Sequence, residues 1–246
     1  ENSALWFFPY KQVLLIKYSR AAMATFVPKL YYWGIPGRAE SIRLTFHVGQ
    51  VPFEDIVVKG PEYADLKEKL TPTVPQINLP LLEVGDKYFS ESKAIMRYAG
   101  AVNNLIPADP LGQLRVDEAI CLTDDIINAF APTFSIKDPE EKVKARLALC
   151  QGDGKLVQVM NKIDSYLKCN CVDDGFLCGP DLTVGDISMW CALNNLVCGF
   201  LDGIPLDFLD QFPVISAYRK KVGTLPSVAS RYADINEGLL SVSFKF

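Results

Sequence analysis

Histidine is almost missing from this chain: His47 stands alone among 246 residues. The seven cysteines (Cys121, Cys150, Cys169, Cys171, Cys178, Cys191 and Cys198) all fall from position 121 onward, are odd in number and include no CxxC pair. That pattern argues against a disulfide framework and for a reducing compartment. Cys169 and Cys171 are one residue apart, but one histidine leaves them too few partners for a metal centre, so no metal is expected. Basic excess is missing too. The net charge of -4 and a pI near 5.2 give no electrostatic reason to expect nucleic acid or an anionic membrane as partner. Nor is there a long apolar run. Residues 4–18 are broken by Pro9, Lys11 and Lys17, too short and too interrupted for a spanning helix, and they lack the basic start and small-residue cleavage site of a leader. Residues 1–22 therefore read as an extension outside the fold.

What is present reads as globular. Hydrophobic residues make up 49% of the chain and charged residues 22%, the balance of a soluble protein and not of a disordered or fibrous one. A chain of 246 residues can bury one large core or two modest ones. Its organising stretch is 28–44, Pro-Lys-Leu-Tyr-Tyr-Trp-Gly-Ile-Pro-Gly-Arg-Ala-Glu-Ser-Ile-Arg-Leu. Residues 29–33 form a short aromatic and aliphatic run with strand character. Gly34, Pro36 and Gly37 make a turn, and from Arg38 the apolar residues Ala39, Ile42 and Phe46 recur at helical spacing. The pattern predicts strand, tight turn and helix start, with Tyr32 at the strand's exit. A phenol there faces the positive end of a helix dipole and backbone N–H groups without partners, where an anion is cheaply held. Tyr32 is thus either a hydrogen-bond donor to a bound anion or a core aromatic whose hydroxyl is satisfied locally.

Further along, 52–58 predicts a second strand and 62–70 a short polar helix, which makes a right-handed βαβ unit with parallel strands. Apolar runs on either side of Gly85 and Asp86 predict a hairpin, and 90–99 returns to helical spacing through Ala94, Ile95 and Tyr98. The order βαβ then ββα is that of a thioredoxin-like domain, here without redox cysteines. Pro80 stands directly before a predicted strand, where it costs a ladder hydrogen bond unless its bond geometry is special; an ordinary trans proline is the commoner case. At Glu91 and Ser92 a helix opens. The Ser hydroxyl and free N–H groups suit a carboxylate and the neighbouring acid an ammonium, or the pair is a plain cap. Residues 103–110 are a turn-rich connector with two prolines, which places a domain boundary there. Everything beyond reads helical, over 111–130, 140–167, 184–199, 214–222 and 227–235. Thr183 and Asp186 form a capping box, a folding signal. Asp124 and Asp125 are adjacent acids on the first long helix, by default a solvated face.

The stretch around Tyr32 resembles the glutathione transferases, most closely the sigma-like class that includes glutathione-dependent prostaglandin D synthase. Lys29, Leu30, Tyr32, Gly37, Arg38, Ala39 and Glu40 match the family's opening motif, with Trp33 in the place of a phenylalanine. The likeness covers roughly 23–234. It implies an α+β architecture: a thioredoxin-like glutathione-binding domain over 23–102, a linker over 103–110, an all-helical domain over 111–236 and a tail over 237–246. It also implies a cytoplasmic homodimer that adds the thiolate of glutathione to small hydrophobic electrophiles, a detoxifying reaction. On this resemblance Tyr32 is the catalytic tyrosine. Arg38 either raises the local positive potential or forms an ion pair with an acid such as Glu40.

The resemblance carries over further contacts. Leu79 supplies backbone to the cysteinyl part of glutathione ahead of a cis Pro80, and Glu91 and Ser92 take its γ-glutamyl end. Trp33, Lys67 and Asn78 complete the glutathione contacts. The glycyl end departs most from the family: Tyr63 stands where the class usually has Trp, 71–78 is longer than in close relatives, and Asn78 replaces a frequent Lys. Asp125 is expected to reach glutathione bound in the partner subunit. The upstream acid that helps bind a divalent ion in that class is Cys121 here, so the metal is not carried over. Ile35 and Pro36, with Phe130 and Phe134 from the helical half, are expected to take the hydrophobic substrate, and the apolar tail 238–246 to lie over that pocket. Two other readings stand beside conjugation. One is an isomerase of the prostaglandin D synthase type; the other is a non-catalytic ligand-binding or structural member, as lens crystallins of this lineage are.

Overall fold

The computed structural model of the chain describes residues 26–72, 74, 76–171 and 175–246. The expected extension, 1–22, lies outside the described residues. Four strands form one sheet in the order β2-β1-β3-β4: β1 (Lys29–Tyr32), β2 (Glu54–Val57), β3 (Leu81–Val84) and β4 (Lys87–Phe89). β1 pairs parallel with β2, opposing Leu30 to Asp55, and antiparallel with β3, opposing Leu30 to Leu82. β4 closes the hairpin antiparallel to β3 around Gly85, whose φ of +63° suits a residue without a Cβ. Period-two alternation sends Leu30 and Tyr32 to one face of the sheet and Lys29 and Tyr31 to the other.

Helices α1 (Glu40–Gly49), α2 (Gly60–Leu70) and α3 (Ser92–Val102) complete this half. α1 is not entered directly from Arg38. A 3-10 turn over Gly37–Ala39 leads into it, and it stops at Gln50, which adopts the left-handed conformation and returns its N–H to the last carbonyls. α1 and α3 bury Ile42, Leu44, Phe46, Ile95 and Ala99 against the Leu30 face, whereas α2 buries only Leu70 over a small satellite cluster with Ile77 and Leu81.

The second half is helical: α4 (Pro110–Phe130), α5 (Pro139–Leu149), α6 (Lys155–Asn170), α7 (Val184–Leu196), α8 (Pro213–Gly223), α9 (Pro226–Tyr232) and α10 (Leu239–Ser243). Asp109 and Asp138 cap α4 and α5, each accepting a backbone N–H at 2.8 Å with proline at the next position. α7 is the central helix. Asp186 at its first turn is fully buried and accepts from the Thr183 hydroxyl at 2.7 Å, the Leu177 N–H at 2.9 Å and the Tyr218 hydroxyl at 3.0 Å. One continuous buried cluster runs from Leu30, Ile42 and Met96 through α4 to α7 and α8, so the two halves share a core.

Two expectations need correction. The single helix expected over 140–167 is two, because Gly152 at φ +52° and Gly154 turn the chain between α5 and α6. The apolar tail does not lie over a substrate pocket. Phe244 is buried with its ring 5.4 Å from Trp190 and 5.3 Å from Tyr232, and Phe246 lies 6.0 Å from Trp190, on the side of α7 away from the cavity described below. Burying the tail's aromatic rings against Trp190 and Tyr232 takes their apolar surface out of water.

Candidate active site

Tyr32 ends β1 with its ring packed into the core at 6% exposure and its hydroxyl at the wall of a cavity of about 510 Å³. The hydroxyl oxygen accepts the Arg38 backbone N–H at 3.0 Å. The turn lies close against the phenol: Gly37 has φ +43°, and a Cβ on it would stand 2.6 Å from the Tyr32 oxygen. Glycine is therefore required there twice over, by conformation and by space. Arg43 braces the same turn from α1. Its guanidinium donates to the Ile35 carbonyl at 2.9 Å and to Asp55 at 2.8 Å, and lies 5.7 Å from the centre of the Tyr32 ring.

Arg38 is exposed, lines the cavity and forms no ion pair among the described residues. Glu40, the alternative partner weighed for it, points the other way. Its fully buried carboxylate accepts from Arg231 at 2.8 Å and Tyr232 at 3.0 Å and pairs with Arg43 at 3.5 Å.

The opposite rim is the segment before β3 and the start of α3. The Leu79-Pro80 bond is cis. The Ser90 hydroxyl donates to the Gln76 carbonyl at 2.9 Å and accepts the Asn78 N–H at 3.1 Å, which ties this loop to the helix start. Glu91 precedes α3 at φ +75°, a conformation that non-glycine residues seldom adopt and that clusters at functional sites. Its carboxylate accepts from Gln76 at 3.0 Å. Glu91 and Ser92 both line the cavity beside Tyr32 and Arg38.

The helical half supplies the apolar wall. Ile35 and Pro36 face Phe130 and Phe134 across the cavity; the two phenylalanine rings meet edge to face at 5.9 Å. Phe134 and Phe200 stand at the mouth, 53% and 47% exposed. Cys191 and Cys198 also line it, and burial pushes both thiols above their ordinary pKa, so they stay protonated. Among the described residues no group of three or more His, Cys, Asp or Glu side chains is placed to hold a metal ion.

Eight of the expected residues thus share one cavity: Tyr32, Arg38, Glu91, Ser92, Ile35, Pro36, Phe130 and Phe134. Six do not line it. Trp33 packs edge to face on Tyr63 at 5.2 Å, and the Tyr63 hydroxyl donates to the Ile77 carbonyl at 2.9 Å, so the pair backs the cis-proline loop. Leu79 and Pro80 form that loop with Asn78, and Lys67 lies exposed on α2. Asp125 bonds Lys162 of α6 at 2.7 Å. It is the neighbouring Asp124, paired with Lys93, that lines the cavity. Sequence reading missed Lys93 and Asn195, and it singled out Asp124 only as part of an acidic pair from which Asp125 was chosen. The amide of Asn195, on α7, donates to the Gly37 carbonyl at 2.9 Å. No local pattern marks Asn195, since 158 residues separate the partners.

Comparison with known proteins agrees with this architecture. Residues 28–100 match the N-terminal domain model of glutathione S-transferases and 124–233 the C-terminal one. Hematopoietic prostaglandin D synthase of Gallus gallus is 26% identical over 202 residues, 82% of this chain and 93% of the relative. Glutathione S-transferase 1 of Ascaris suum is 28% identical over 211 residues, 84% of this chain and 95% of the relative. The structure of prostaglandin synthase D of Nilaparvata lugens superposes with a TM-score of 0.71 at 25% identity, covering 86% of this chain and all of the other. With both domains matched and their order kept, the chain belongs to the glutathione S-transferase family, a family of enzymes.

Proposed function

We propose that the protein is a glutathione transferase that joins the thiolate of glutathione to hydrophobic electrophiles, with Tyr32 holding the sulfur as an anion. The observation that carries this is the Arg38 N–H at 3.0 Å from the Tyr32 oxygen. With that oxygen accepting from the backbone, the phenolic proton is left to donate towards the cavity. A free thiol is mostly protonated at neutral pH, and every unit by which its pKa falls corresponds to about 1.36 kcal/mol of preference for the thiolate. A hydrogen bond to the charged sulfur, with the exposed Arg38 guanidinium close by, supplies such a preference. The other assignments are carried over from the family resemblance. Glu91 and Ser92 take the γ-glutamyl end, the Leu79 backbone pairs with the cysteinyl part beside Pro80, and Trp33, Lys67 and Asn78 complete the glutathione contacts. Ile35, Pro36, Phe130 and Phe134 hold the electrophile. In the same reading the enzyme is a cytoplasmic homodimer, and Asp125 contacts glutathione in the partner subunit.

With a chlorinated nitrobenzene, a carbon–sulfur bond forms, the carbon–chlorine bond breaks and chloride leaves. Wild type is expected to catalyse this, and Tyr32→Phe to lower kcat/KM by about 10- to 100-fold with little change in melting temperature. Tight glutathione binding without turnover would move the protein to a non-catalytic role. A glutathione-dependent isomerase, supported by the likeness to prostaglandin D synthases, uses the same thiolate without consuming it. Product analysis with an endoperoxide separates the two.

A further inference from the structure

The Gly37 carbonyl and the Arg38 N–H belong to one peptide unit, and both of its ends are engaged. Asn195 Nδ2 donates to the oxygen at 2.9 Å, and Tyr32 Oη accepts the N–H at 3.0 Å. The amide plane is rigid, so a side chain that fixes one end fixes the direction in which the other points. Gly37 gives this unit little resistance of its own to rotation, since a residue without a Cβ moves freely between left- and right-handed conformations.

We propose that Asn195 is a positioning residue for the reaction, which holds and polarises the Gly37–Arg38 peptide so that Tyr32 stays aimed at the sulfur. The inference rests on the transferase reading above. Donation to the carbonyl draws charge toward its oxygen and makes the N–H at the other end a better donor. Hydrogen bonds arranged in series strengthen one another in this way, most of all where water is scarce. The series runs from Asn195 through the peptide to the Tyr32 hydroxyl, and from there to the thiolate.

The orientation of the amide supports the assignment. Turning Oδ1 toward Gly37 would set two acceptors against each other, so Nδ2 faces the turn. Oδ1 is left buried without a hydrogen-bond partner, an arrangement that costs stability. Asn195 is thus not placed as a stabilising residue in its own right. Its favourable contact is the one to the peptide that holds Tyr32. The helical domain reaches the reacting end of the sheet domain through this bond.

The test uses the full chain with Asn195→Leu, which keeps the side-chain size and removes the donor, and Asn195→Asp, which keeps the shape and replaces the donor with an acceptor. The readouts are the pH profile of kcat/KM, the ultraviolet absorbance of bound glutathione thiolate, glutathione affinity and melting temperature. Both variants should move the acidic limb of the profile upward, so that kcat/KM near pH 6.5 falls about three- to tenfold and bound thiolate is reduced. Glutathione affinity should stay within about twofold. If Asn195→Leu fails to fold, Asn195→Asp decides alone. Profiles that superimpose on wild type would overturn the inference, as would a lower melting temperature with an unmoved acidic limb. Wild type without turnover would instead sink the transferase reading, so the two failures are distinguishable.

Discussion

On the sheet side of the cavity, Tyr32, Arg38, Glu91 and the cis-proline loop are placed by backbone: a glycine turn, a positive φ, a cis bond and main-chain hydrogen bonds. On the helical side, Phe130 at the end of α4 and Phe134 in the 3-10 turn that follows it, Ala131–Ser135, line the cavity and are placed by how the helices pack. Backbone placement leaves a mark in local sequence, because only certain residues tolerate it. Packing placement leaves little, because any residue on the right face of a helix is brought along. The polar, reacting end of the cavity is therefore built where the chain has least freedom, and the apolar, accommodating end where substitution is easiest.

The seam between the two sides is the strongest place to test this division. Glu40 on α1 is fully buried and holds Arg231 and Tyr232 of α9 as well as Arg43, the residue that braces the Tyr32 turn. Glu40→Ala strands the Arg231 guanidinium and leaves Arg43 with Asp55 as its one carboxylate partner among the described residues. It should cost about 3–5 kcal/mol in chemical denaturation and reduce conjugation, since Arg43 is then drawn wholly to Asp55. Glu40→Leu combined with Arg231→Met should recover part of the stability. If the double variant is no better than Glu40→Ala alone, the coupling across the seam is not electrostatic.

A somewhat smaller effect is expected from the side of α7 that faces away from the cavity. Phe244→Ala removes a buried ring from Trp190 and Tyr232, at about 3 kcal/mol, read as a lowered melting temperature. KM for the electrophile should be unchanged at a temperature where the variant is folded. A changed KM would mean that packing behind α7 reaches the cavity wall and that the two faces of that helix are not independent.

That tail also marks where reading the sequence ran out. The strand, turn and helix around Tyr32, the hairpin at Gly85 and the box at Thr183 and Asp186 were legible, since each is written in residues a few positions apart. The sequence near Phe244 shows only that the tail is too apolar to be free. Which apolar surface it covers depends on Trp190, some fifty positions earlier, and on the face of α7 that Trp190 occupies. The same holds for Asn195 and Gly37, and for Glu40, whose partners Arg231 and Tyr232 lie at the far end of the chain. The break between α5 and α6 was a different failure: Gly152 and Gly154 are a local turn signal that helical periodicity on either side obscured.

The mildest perturbation is at the edge of the seam. His47 sits in the last turn of α1, with Nε2 2.9 Å from the Ser230 hydroxyl and Arg231 close by. The helix end favours a positive imidazole, but burial, and next the Arg231 charge, hold its pKa below the ordinary 6.5. A folded-state value below the unfolded one means that the unfolded chain binds the proton first as pH falls. The stabilising contribution is therefore complete above about 6.5 and is lost as pH drops from there through the folded-state value. His47→Gln retains a hydrogen-bonding group toward Ser230 and removes the titration. Melting temperatures of the variant and wild type should coincide near pH 7.5. Around pH 5.5 wild type should lose about 1 °C more than the variant, a small figure because the ring is only partly buried. If the two curves run parallel across this range, neither burial nor Arg231 holds the His47 pKa below its ordinary value.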